Sequence, residues 1–396
     1  MRWTTIVSIL ISGSCIAQWT QLPDFPGTAR DDAASFAIDG RIYVGTGREV
    51  GFGYTNDWFC YEPSTESWST ISSMPTEGRQ YCTTFTIADT GYVFGGTGPG
   101  GANNELWAYH PETDIWEQKA SLPGEARYAC VAATYQSNAG ILATGMLASG
   151  VPTNETWRYE PAAGSWTLMD PVPGPARHRA ACVEYVNTIA VIGGADSNFT
   201  ALSDAWYYPG NEWYQYDSLS YPRWGADGSG NSVSIVACGA TDQSVFHHEV
   251  WQPFGDNILF PDFPAGDRRG GVGVGISAGS QWWGGEFYYG LGLDGTFARR
   301  NDWWRLDVPV GVEAEGPIHA FSIYPVPAHD AITVALFPNA GRAELFVTTI
   351  DGRIILQQQV TSISAVLNTS TLATGAYLVT VRTATGTTMQ RFVVQH

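Results

Sequence analysis

The sequence predicts an all-β protein in which one four-stranded unit is repeated, followed by a smaller β-rich domain. The main observation is a Trp–Pro–Arg motif, in which Pro follows Trp by seven positions and Arg follows Pro by four, repeated about every 48 residues. A fixed period of this length indicates stacked copies of one supersecondary unit that share a core. The copies are Trp19, Pro26 and Arg30; Trp68, Pro75 and Arg79; Trp116, Pro123 and Arg127; Trp166, Pro173 and Arg177; and a partial copy, Pro264 and Arg268.

A second motif places an acidic residue shortly before a large aromatic residue, and it occurs six times. Its acids are Asp57, Glu105, Glu155, Asp204, Glu249 and Asp302. Between the two motifs lie short apolar runs rich in β-branched and aromatic residues, separated by turns that contain glycine. Such runs favour β-strands, and four strands of ordinary length fit into each copy.

The repeat resembles kelch repeats, because a glycine pair follows an apolar strand, and an aromatic–Tyr pair and a Trp come later in the copy. Gly95-Gly96 and Gly193-Gly194 are two of these pairs. The resemblance covers residues 18–308, and it implies a β-propeller whose four-stranded blades surround a central channel. Six copies therefore predict a six-bladed kelch β-propeller as the first domain.

The first and last copies complement each other. The chain opens with a Trp-bearing strand alone, from Trp19 to Leu22, and the sixth copy ends after the strand that follows Asp302. We therefore expect the N-terminal strand to complete the last blade, which removes the exposed sheet edges of an open ring. The aromatic residues are expected to pack between blades, Tyr61, Tyr109, Tyr159 and Tyr208 among them.

Residues 1–17 have the pattern of an export signal, with a basic Arg2, an apolar segment at residues 6–11 and a cleavage site after Ala17. Lipidation at Cys15 is the alternative, and both interpretations predict that the protein leaves the cytoplasm. The exported chain keeps Cys60, Cys82, Cys130, Cys182 and Cys238. Three of them each follow an Arg by three residues, which predicts equivalent inner strands and buried thiols rather than disulfides.

A composition change at residues 309–320 predicts a linker, since this segment is rich in Gly, Pro and acidic residues and has no apolar period. Beyond it tryptophan is absent. Short β-rich runs follow within residues 321–396, and they predict a small antiparallel β-sandwich as the second domain.

This second domain resembles the C-terminal sorting domain of the type IX secretion pathway of Bacteroidetes-type bacteria. The residues that carry the resemblance include Tyr324, Pro325, Pro327, Asp330, Gly352, Gly375 and Tyr377. Val326 and His396 depart from the usual pattern of that family. The resemblance implies that the secretion machinery is a partner and that the protein reaches the cell surface or the medium. An ordinary β-sandwich that binds a ligand is the alternative.

Charge divides the chain at the same place. Residues 18–320 contain 15 Arg or Lys and 35 Asp or Glu, a net charge of −20, whereas residues 321–396 carry a net charge of +1. An acidic propeller is a poor nucleic-acid binder, because that binding depends on neutralising phosphates. No internal apolar run is long enough to cross a membrane as a helix.

Six arginines share one position of the repeat, and a ring of equivalent positions places them in a circle on one face. They are Arg30, Arg79, Arg127, Arg177, Arg223 and Arg268, with Arg179 and Arg269 beside two of them. One interpretation is structural, with each guanidinium paired to an acid or a carbonyl of a neighbouring blade. The other is a ligand site, because planar guanidinium groups suit carboxylates, and the variable loops between strands two and three then supply specificity.

No catalytic motif is found, and neither a metal site nor a cofactor is predicted. We therefore expect an exported binding module for a protein or a glycan. The alternative is a carbohydrate-active enzyme, because kelch-type sialic-acid epimerases resemble this chain in blade number and export. That resemblance implies an Arg-rich pocket with a carboxylate base, for which Arg179, Arg268 and Glu286 are candidates.

Overall fold

The structure is a computed structural model of the chain. It describes residues 17–185, 188–210, 212–216, 219, 222–229, 234–253, 260–277, 285–308, 321–324, 330–336, 343–349, 353–360, 364–382 and 387–394. Except for Ala17, the predicted signal segment lies outside these residues, as does the predicted linker at residues 309–320. The chain divides into two compact units, Met1–Val312 and Glu313–His396.

The first unit is a propeller of six antiparallel sheets. From the channel outwards, blade 1 is Ala34–Ile38, Arg41–Gly45, Trp58–Glu62 and Ser67–Ile71; blade 2 is Thr83–Ile87, Thr90–Phe94, Leu106–His110 and Ile115–Lys119; blade 3 is Val131–Tyr135, Ala139–Ala143, Thr156–Glu160 and Ser165–Met169; blade 4 is Ala181–Tyr185, Thr188–Ile192, Ala205–Tyr208 and Tyr214–Tyr216; blade 5 is Asp227–Gly228, Val236–Ala237 and Val250–Trp251; and blade 6 is Val272–Ser277, Gly285–Gly290, Trp303–Val308 and Gln18–Leu22.

Short two-stranded ribbons lie on one face of the propeller, where the chain enters the inner strands. The paired segments are Arg30–Asp31 with Arg48–Glu49, Arg127–Tyr128 with Met146–Leu147, and Arg268–Arg269 with Leu293–Asp294, while Thr97–Gly98 pairs with Gly101–Ala102 inside one loop. A single 3₁₀ turn, Pro63–Thr65, is the only helical segment among the described residues, and no described helix is long and apolar enough to span a membrane.

The N-terminal strand closes the ring, as the sequence predicted. Gln18–Leu22 pairs antiparallel with Trp303–Val308, from Gln18 opposite Asp307 to Leu22 opposite Trp303. The inner strand of blade 6 also packs beside the inner strand of blade 1. Both edges that an open ring would expose are therefore covered.

Aromatic side chains join neighbouring blades, which confirms their predicted packing role. Tyr61, Tyr109, Tyr159 and Tyr208 are all buried, each in a cluster that includes residues of the preceding blade. In addition, a Trp of the outer strand donates its indole N–H to a backbone carbonyl of the preceding blade. The pairs are Trp19 and Pro261, Trp68 and Pro23, Trp116 and Ser72, Trp166 and Ala120, and Trp213 and Asp170.

The channel between the inner strands contains a cavity of about 180 Å³. Cys82, Cys130 and Cys182 line it, and all five cysteines of the described chain are free thiols, as predicted. The predicted equivalence of the three is wrong for one of them. Cys82 and Cys130 each precede their inner strand, whereas Cys182 is the second residue of Ala181–Tyr185, because Arg177 and not Arg179 occupies the repeated Arg position in blade 4.

The second unit is the predicted β-sandwich. Phe321–Tyr324, Ala331–Leu336 and Ser364–Asn368 form one antiparallel sheet, and Ala343–Thr349, Ile354–Val360, Gly375–Arg382 and Thr387–Val394 form the other. Side chains from both sheets share one core, in which Ile332 and Leu367 of the first sheet pack with Leu345, Val379 and Phe392 of the second.

Candidate functional site

The six repeated arginines are buried, and each binds an acid of the second motif. The pairs are Arg30 and Asp57, Arg79 and Glu105, Arg127 and Glu155, Arg177 and Asp204, Arg223 and Glu249, and Arg268 and Asp302, with N–O distances of 2.5 to 3.1 Å. Both partners belong to the same blade, whereas the structural interpretation had placed them in neighbouring blades. The repeat explains this geometry. The acid directly precedes the third strand of its blade, and the arginine lies shortly before the first strand of the same blade, so the two side chains lie at the same end of the sheet.

Further hydrogen bonds hold each arginine in place. Arg177, for example, donates to the carbonyl of Gly193 as well as to both carboxylate oxygens of Asp204. The Trp206 indole N–H donates to the same carboxylate, and this contact recurs between Trp304 and Asp302. The guanidinium and carboxylate groups therefore satisfy each other inside the blade, and this geometry supports the structural interpretation for the six repeated arginines.

Two residues after each repeated arginine, the backbone forms a closed ring around one end of the channel. The six residues are Asp32, Tyr81, Ala129, Arg179, Gly225 and Gly270, and all have a left-handed backbone with φ between 53 and 60°. The N–H of each donates to the carbonyl of its counterpart in the preceding blade at 2.8 to 3.0 Å, and Asp32 closes the ring on Gly270. The residues that come next in the chain after this backbone ring contact the channel cavity. The backbone ring is therefore the mouth of the channel.

Three side chains of the ring interact across the mouth. Arg179 Nη2 donates to the Tyr81 hydroxyl at 3.1 Å, and its guanidinium lies over the Tyr81 ring at 4.5 Å. The Tyr81 hydroxyl in turn stabilises the charged form of the nearby Asp32 carboxyl group and so lowers its pKa. Arg179 also contacts Nδ1 of buried His178 at 2.7 Å, and burial together with this cation lowers the pKa of His178 to about 4. His178 is therefore neutral at physiological pH, and Nδ1 accepts the hydrogen bond.

Two neighbouring carboxyl groups, those of Asp31 and Asp32, lie close to two further arginines. Arg299 Nε donates to Asp31 at 2.6 Å, and Arg269 lies 3.8 Å from Asp31 and 4.0 Å from Asp32. Burial, reinforced by the charge of Asp31, raises the pKa of Asp32 to about 7, although Arg269 and Arg179 oppose the shift. Asp32 is therefore a carboxyl group that changes protonation near neutral pH beside a cluster of cations.

Aromatic rings separate the arginines of this cluster. Trp224 lies between Arg179 and Arg269, whose guanidinium carbons are 5.9 and 5.5 Å from its ring centre. Three buried N–H groups here have no hydrogen-bond partner among the described residues: Nε of Arg179, Nε of Arg269 and Nε1 of Trp224. Buried donors are ordinarily satisfied, so these three groups are exceptions within the arginine cluster.

Two more carboxyl groups face the channel. Asp227 accepts backbone N–H groups of Gly273 and Gly228 at 2.7 and 2.9 Å, and Glu184 lies near Thr134, which lowers the pKa of its carboxyl group slightly. Burial raises the pKa of both to about 7. No group of three or more His, Cys, Asp or Glu side chains within the described residues is arranged to hold a metal ion.

Sequence reasoning found Arg179 and Arg269 but missed their partners at the mouth. Asp31, Asp32 and Tyr81 follow the repeated arginines directly, so their phase in the repeat was a usable signal. Glu286, proposed as a catalytic base, is not brought to the mouth. It lies at the far end of Gly285–Gly290 from Leu291, the residue whose carbonyl Arg268 binds, and it accepts from Tyr288 at 2.6 Å.

The motif of the second unit is described only in part. Tyr377 is buried, packs on Phe392 and donates to the carbonyl of Ala373 at 2.8 Å, while Gly375 begins the same strand. The Asp330 carbonyl accepts the N–H groups of residues 369 and 370. Tyr324 ends the first strand, and Pro325, Pro327 and Gly352 lie outside the described residues.

Two family models match the chain, one in each unit. Residues 16–194 match the KLHDC2/KLHL20/DRC7 Kelch-repeats domain. Residues 322–395 match the Secretion system C-terminal sorting domain. Among solved structures, the fold resembles that reported as "Structure of YjhT", with a TM-score of 0.60 and 14% sequence identity over 71% of this chain and 96% of that chain.

A short segment resembles two bacterial enzymes. It is 40% identical over 83 residues to an N-acetylneuraminate epimerase of Shigella boydii serotype 4 (strain Sb227), and 40% identical over 84 residues to the enzyme of that name from Escherichia coli (strain K12). These alignments cover 20% of this chain and 23% of each relative, so the match spans less than a quarter of the relatives' length.

The repeats, the six-bladed ring and both family matches agree on the nature of the two units. The protein is a kelch-repeat β-propeller with a C-terminal sorting domain, which indicates type IX secretion to the cell surface or the medium.

Proposed function

We propose that the exported propeller is a binding module for a protein or a glycan, and that its ligand binds at the channel mouth. The observation that supports this most is that Arg179, Arg269 and Arg299 lie together with aromatic rings and unpartnered N–H groups, in a segment, residues 18–320, whose net charge is −20. Guanidinium groups held between aromatic rings offer both charged hydrogen bonds and flat apolar contact.

Within the predicted arginine set, we propose that Arg179 contacts the ligand and that Arg30, Arg79, Arg127, Arg177, Arg223 and Arg268 support the site from inside the blades. Each of these six has its own carboxylate partner. Arg179, in contrast, hydrogen-bonds a hydroxyl and an imidazole, packs on aromatic rings and forms no ion pair among the described residues, where its Nε also has no hydrogen-bond partner.

The domain layout is part of the proposal. Residues 1–17 form a signal peptide, residues 18–308 the propeller, residues 309–320 a linker and residues 321–396 the domain that the type IX secretion machinery recognises. The match at residues 322–395 supports the last assignment. We propose a host of the Bacteroidetes type on the same ground.

The binding proposal is tested by screening the full exported chain against arrays of sialylated, uronic-acid and neutral glycans, and against a displayed library of random peptides. We expect at least one ligand class to bind, and Arg179→Ala to weaken it by about tenfold or more. Arg41→Ala is a matched control, because Arg41 forms an exposed ion pair with Glu62 on blade 1. An empty result in both screens, or equal binding by the Arg179 variant, contradicts the proposal.

A second candidate is a carbohydrate-active enzyme of the epimerase type. The titration of Asp32 near neutral pH beside Arg179 and Arg269 favours it, because a general base works best with a pKa near the operating pH. The short 40% identical segment is consistent with it. An NMR assay of anomer exchange in N-acetylneuraminate, with wild type and Asp32→Asn, decides the matter. No acceleration by the wild type removes this candidate and leaves the binding proposal standing.

A further inference from the structure

The cations of the channel mouth are more exposed than its carboxyl groups. Arg179, Arg269 and Arg299 are partly exposed, whereas Asp31 and Asp32 are buried. Arg299 binds Asp31 directly at 2.6 Å, while the nearest nitrogen of Arg269 is 4.0 Å from the Asp32 carboxyl group, beyond hydrogen-bond distance. A solute that approaches from solvent therefore meets guanidinium groups before it meets a carboxyl group.

Asp32 is held at the point where the ring of blades closes. Its backbone N–H donates to the carbonyl of Gly270, at the entry to blade 6, at 2.8 Å. The Asp32 side chain uses the space that glycine leaves, because a β-carbon at position 270 would overlap its Oδ1. The carboxyl group is therefore confined next to Arg269, the residue that precedes Gly270.

The protonation of Asp32 sets the net charge of this cluster. When Asp32 is neutral, the three guanidinium groups face one carboxylate, that of Asp31, and when it is ionised they face two. Burial and the charge of Asp31 raise the pKa of Asp32 to about 7, against the opposing effects of Arg269, Arg179 and Tyr81. An anion bound beside these arginines adds a second negative neighbour and favours the protonated form of Asp32.

Unpartnered donors belong to the same arginines. The Trp224 ring lies between Arg179 and Arg269, and each of these three residues has a buried side-chain N–H without an acceptor among the described residues. Arg179 also forms no ion pair within that part of the chain. Buried donors are ordinarily satisfied, and an oxyanion offers several acceptor oxygens in one group.

We propose that the mouth binds an oxyanion group of the ligand, a carboxylate, sulfate or phosphate, and that Asp32 takes up one proton from solvent as it binds. This inference rests on the proposed function and adds a regulation to it. The one covalent bond that forms is the O–H bond of the Asp32 carboxyl group. Binding is therefore tighter in mildly acidic solution and weaker in alkaline solution, so the acidity of the medium controls capture of the ligand.

Other titrating groups near the mouth are accounted for. His178, which contacts Arg179, has a pKa lowered to about 4 by burial and by that cation, so it stays neutral above pH 5. Burial raises the pKa of Asp227 and Glu184 to about 7, but both face the channel. These two carboxyl groups titrate in the same range as Asp32, and they therefore serve as controls.

The test measures binding of radiolabelled sulfate to the full chain by equilibrium dialysis at constant ionic strength. Sulfate keeps its charge from pH 5 to pH 8, so any pH dependence belongs to the protein. We expect the dissociation constant to rise about fivefold or more between pH 6 and pH 8. Asp32→Asn is expected to bind at pH 8 as tightly as wild type does at pH 6, and Arg179→Ala to lose binding. Asp227→Asn and Glu184→Gln are expected to keep the wild-type pH dependence.

Two further measurements use the wild type alone. Calorimetric titration with sulfate near pH 7, in buffers of different ionisation enthalpy, is expected to show net proton uptake. Competition at pH 6 by methyl glucuronide, glucose 6-sulfate and glucose 6-phosphate, with glucose as the neutral control, identifies which oxyanion binds best.

Several outcomes overturn the inference. They are an absence of sulfate binding at pH 6, equal dissociation constants at the two pH values, proton release on binding, or a pH dependence that survives in Asp32→Asn. Loss of the dependence in Asp227→Asn or Glu184→Gln assigns the proton to the channel and also overturns it. If sulfate fails but a peptide or a neutral glycan binds in the screens of the proposed function, this inference falls alone. Empty results throughout remove both.

Discussion

Arg177 and Asp204 form a two-pronged ion pair inside blade 4, with N–O distances of 2.8 and 2.6 Å and the arginine fully buried. An arginine–carboxylate pair is present at this position in all six blades, and it is two-pronged in blades 1, 4 and 6. Each arginine of the circle that suggested a ligand site is thus paired with a carboxylate of its own blade. The neighbouring Arg179, two residues along the chain, has no such carboxylate partner in the part of the chain that the structure describes, and it lies at the mouth.

The pair gives the first prediction. Asp204→Ala leaves Arg177 buried without its counter-charge and removes the acceptor of Trp206, so we expect the free energy of unfolding to fall by about 3 to 5 kcal/mol. Denaturant unfolding of the full chain measures this. Glu62→Ala is the control, because its ion pair with Arg41 is exposed and contributes at most about 1 kcal/mol. Equal effects of the two substitutions contradict the structural role.

Ring closure gives the second prediction. A chain that begins at Pro23 lacks Gln18–Leu22, so it leaves the Trp303–Val308 strand with an open edge and the Pro261 carbonyl without its Trp19 donor. We expect a lower melting temperature and concentration-dependent aggregation, since unpaired edges recruit other chains. Scanning calorimetry and light scattering measure both. Unchanged melting and a monodisperse sample show that the strand does not close the propeller.

The channel carboxyl groups predict how stability depends on pH. Burial raises the pKa of Asp227 from 3.8 to about 7, so folding favours its protonated form. The stability that this group contributes is fully present below about pH 4 and is lost as pH rises through about 7. We expect Asp227→Asn to flatten this decline in the free energy of unfolding, measured between pH 5 and pH 8. An identical pH profile for the variant contradicts the assignment.

The fourth prediction concerns Tyr81 and the pKa of Asp32 at the channel mouth. Its hydroxyl stabilises the charged form of Asp32, so Tyr81→Phe removes one of the influences that lower the pKa of that carboxyl. We expect the pKa of Asp32 to rise further above about 7, which a carboxyl-carbon NMR titration measures. Tyr128→Phe is the matched control, since the Tyr128 ring of the neighbouring blade lies in tilted contact with the Tyr81 ring, 5.9 Å away. A pKa that stays constant or falls shows that the Tyr81 hydroxyl does not stabilise the charged form of Asp32.

The repeat made most of the fold predictable, because each motif residue has a local task that recurs in every blade. The place of Tyr159 in the interface with blade 2 follows from phase alone, whereas phase alone assigned Arg177 a partner in a neighbouring blade and not Asp204 of its own blade. The mouth was less predictable, because ring closure brings together residues far apart in sequence. Asp31 and Arg299 are 268 positions apart, and no local pattern announces their contact. The phenylalanines at equivalent turns, Phe52, Phe199 and Phe297, were missed because the loops differ in sequence until the turns are aligned by geometry.

The most direct test of the account compares two arginines that are two positions apart. Full-length Arg177→Ala and Arg179→Ala are measured side by side for melting temperature and for binding of a peptide or glycan recovered in the screens. The account predicts a clear loss of melting temperature for Arg177→Ala, and for Arg179→Ala a loss of binding at near wild-type melting temperature. The reverse result, with Arg177 required for binding and not for stability, contradicts it.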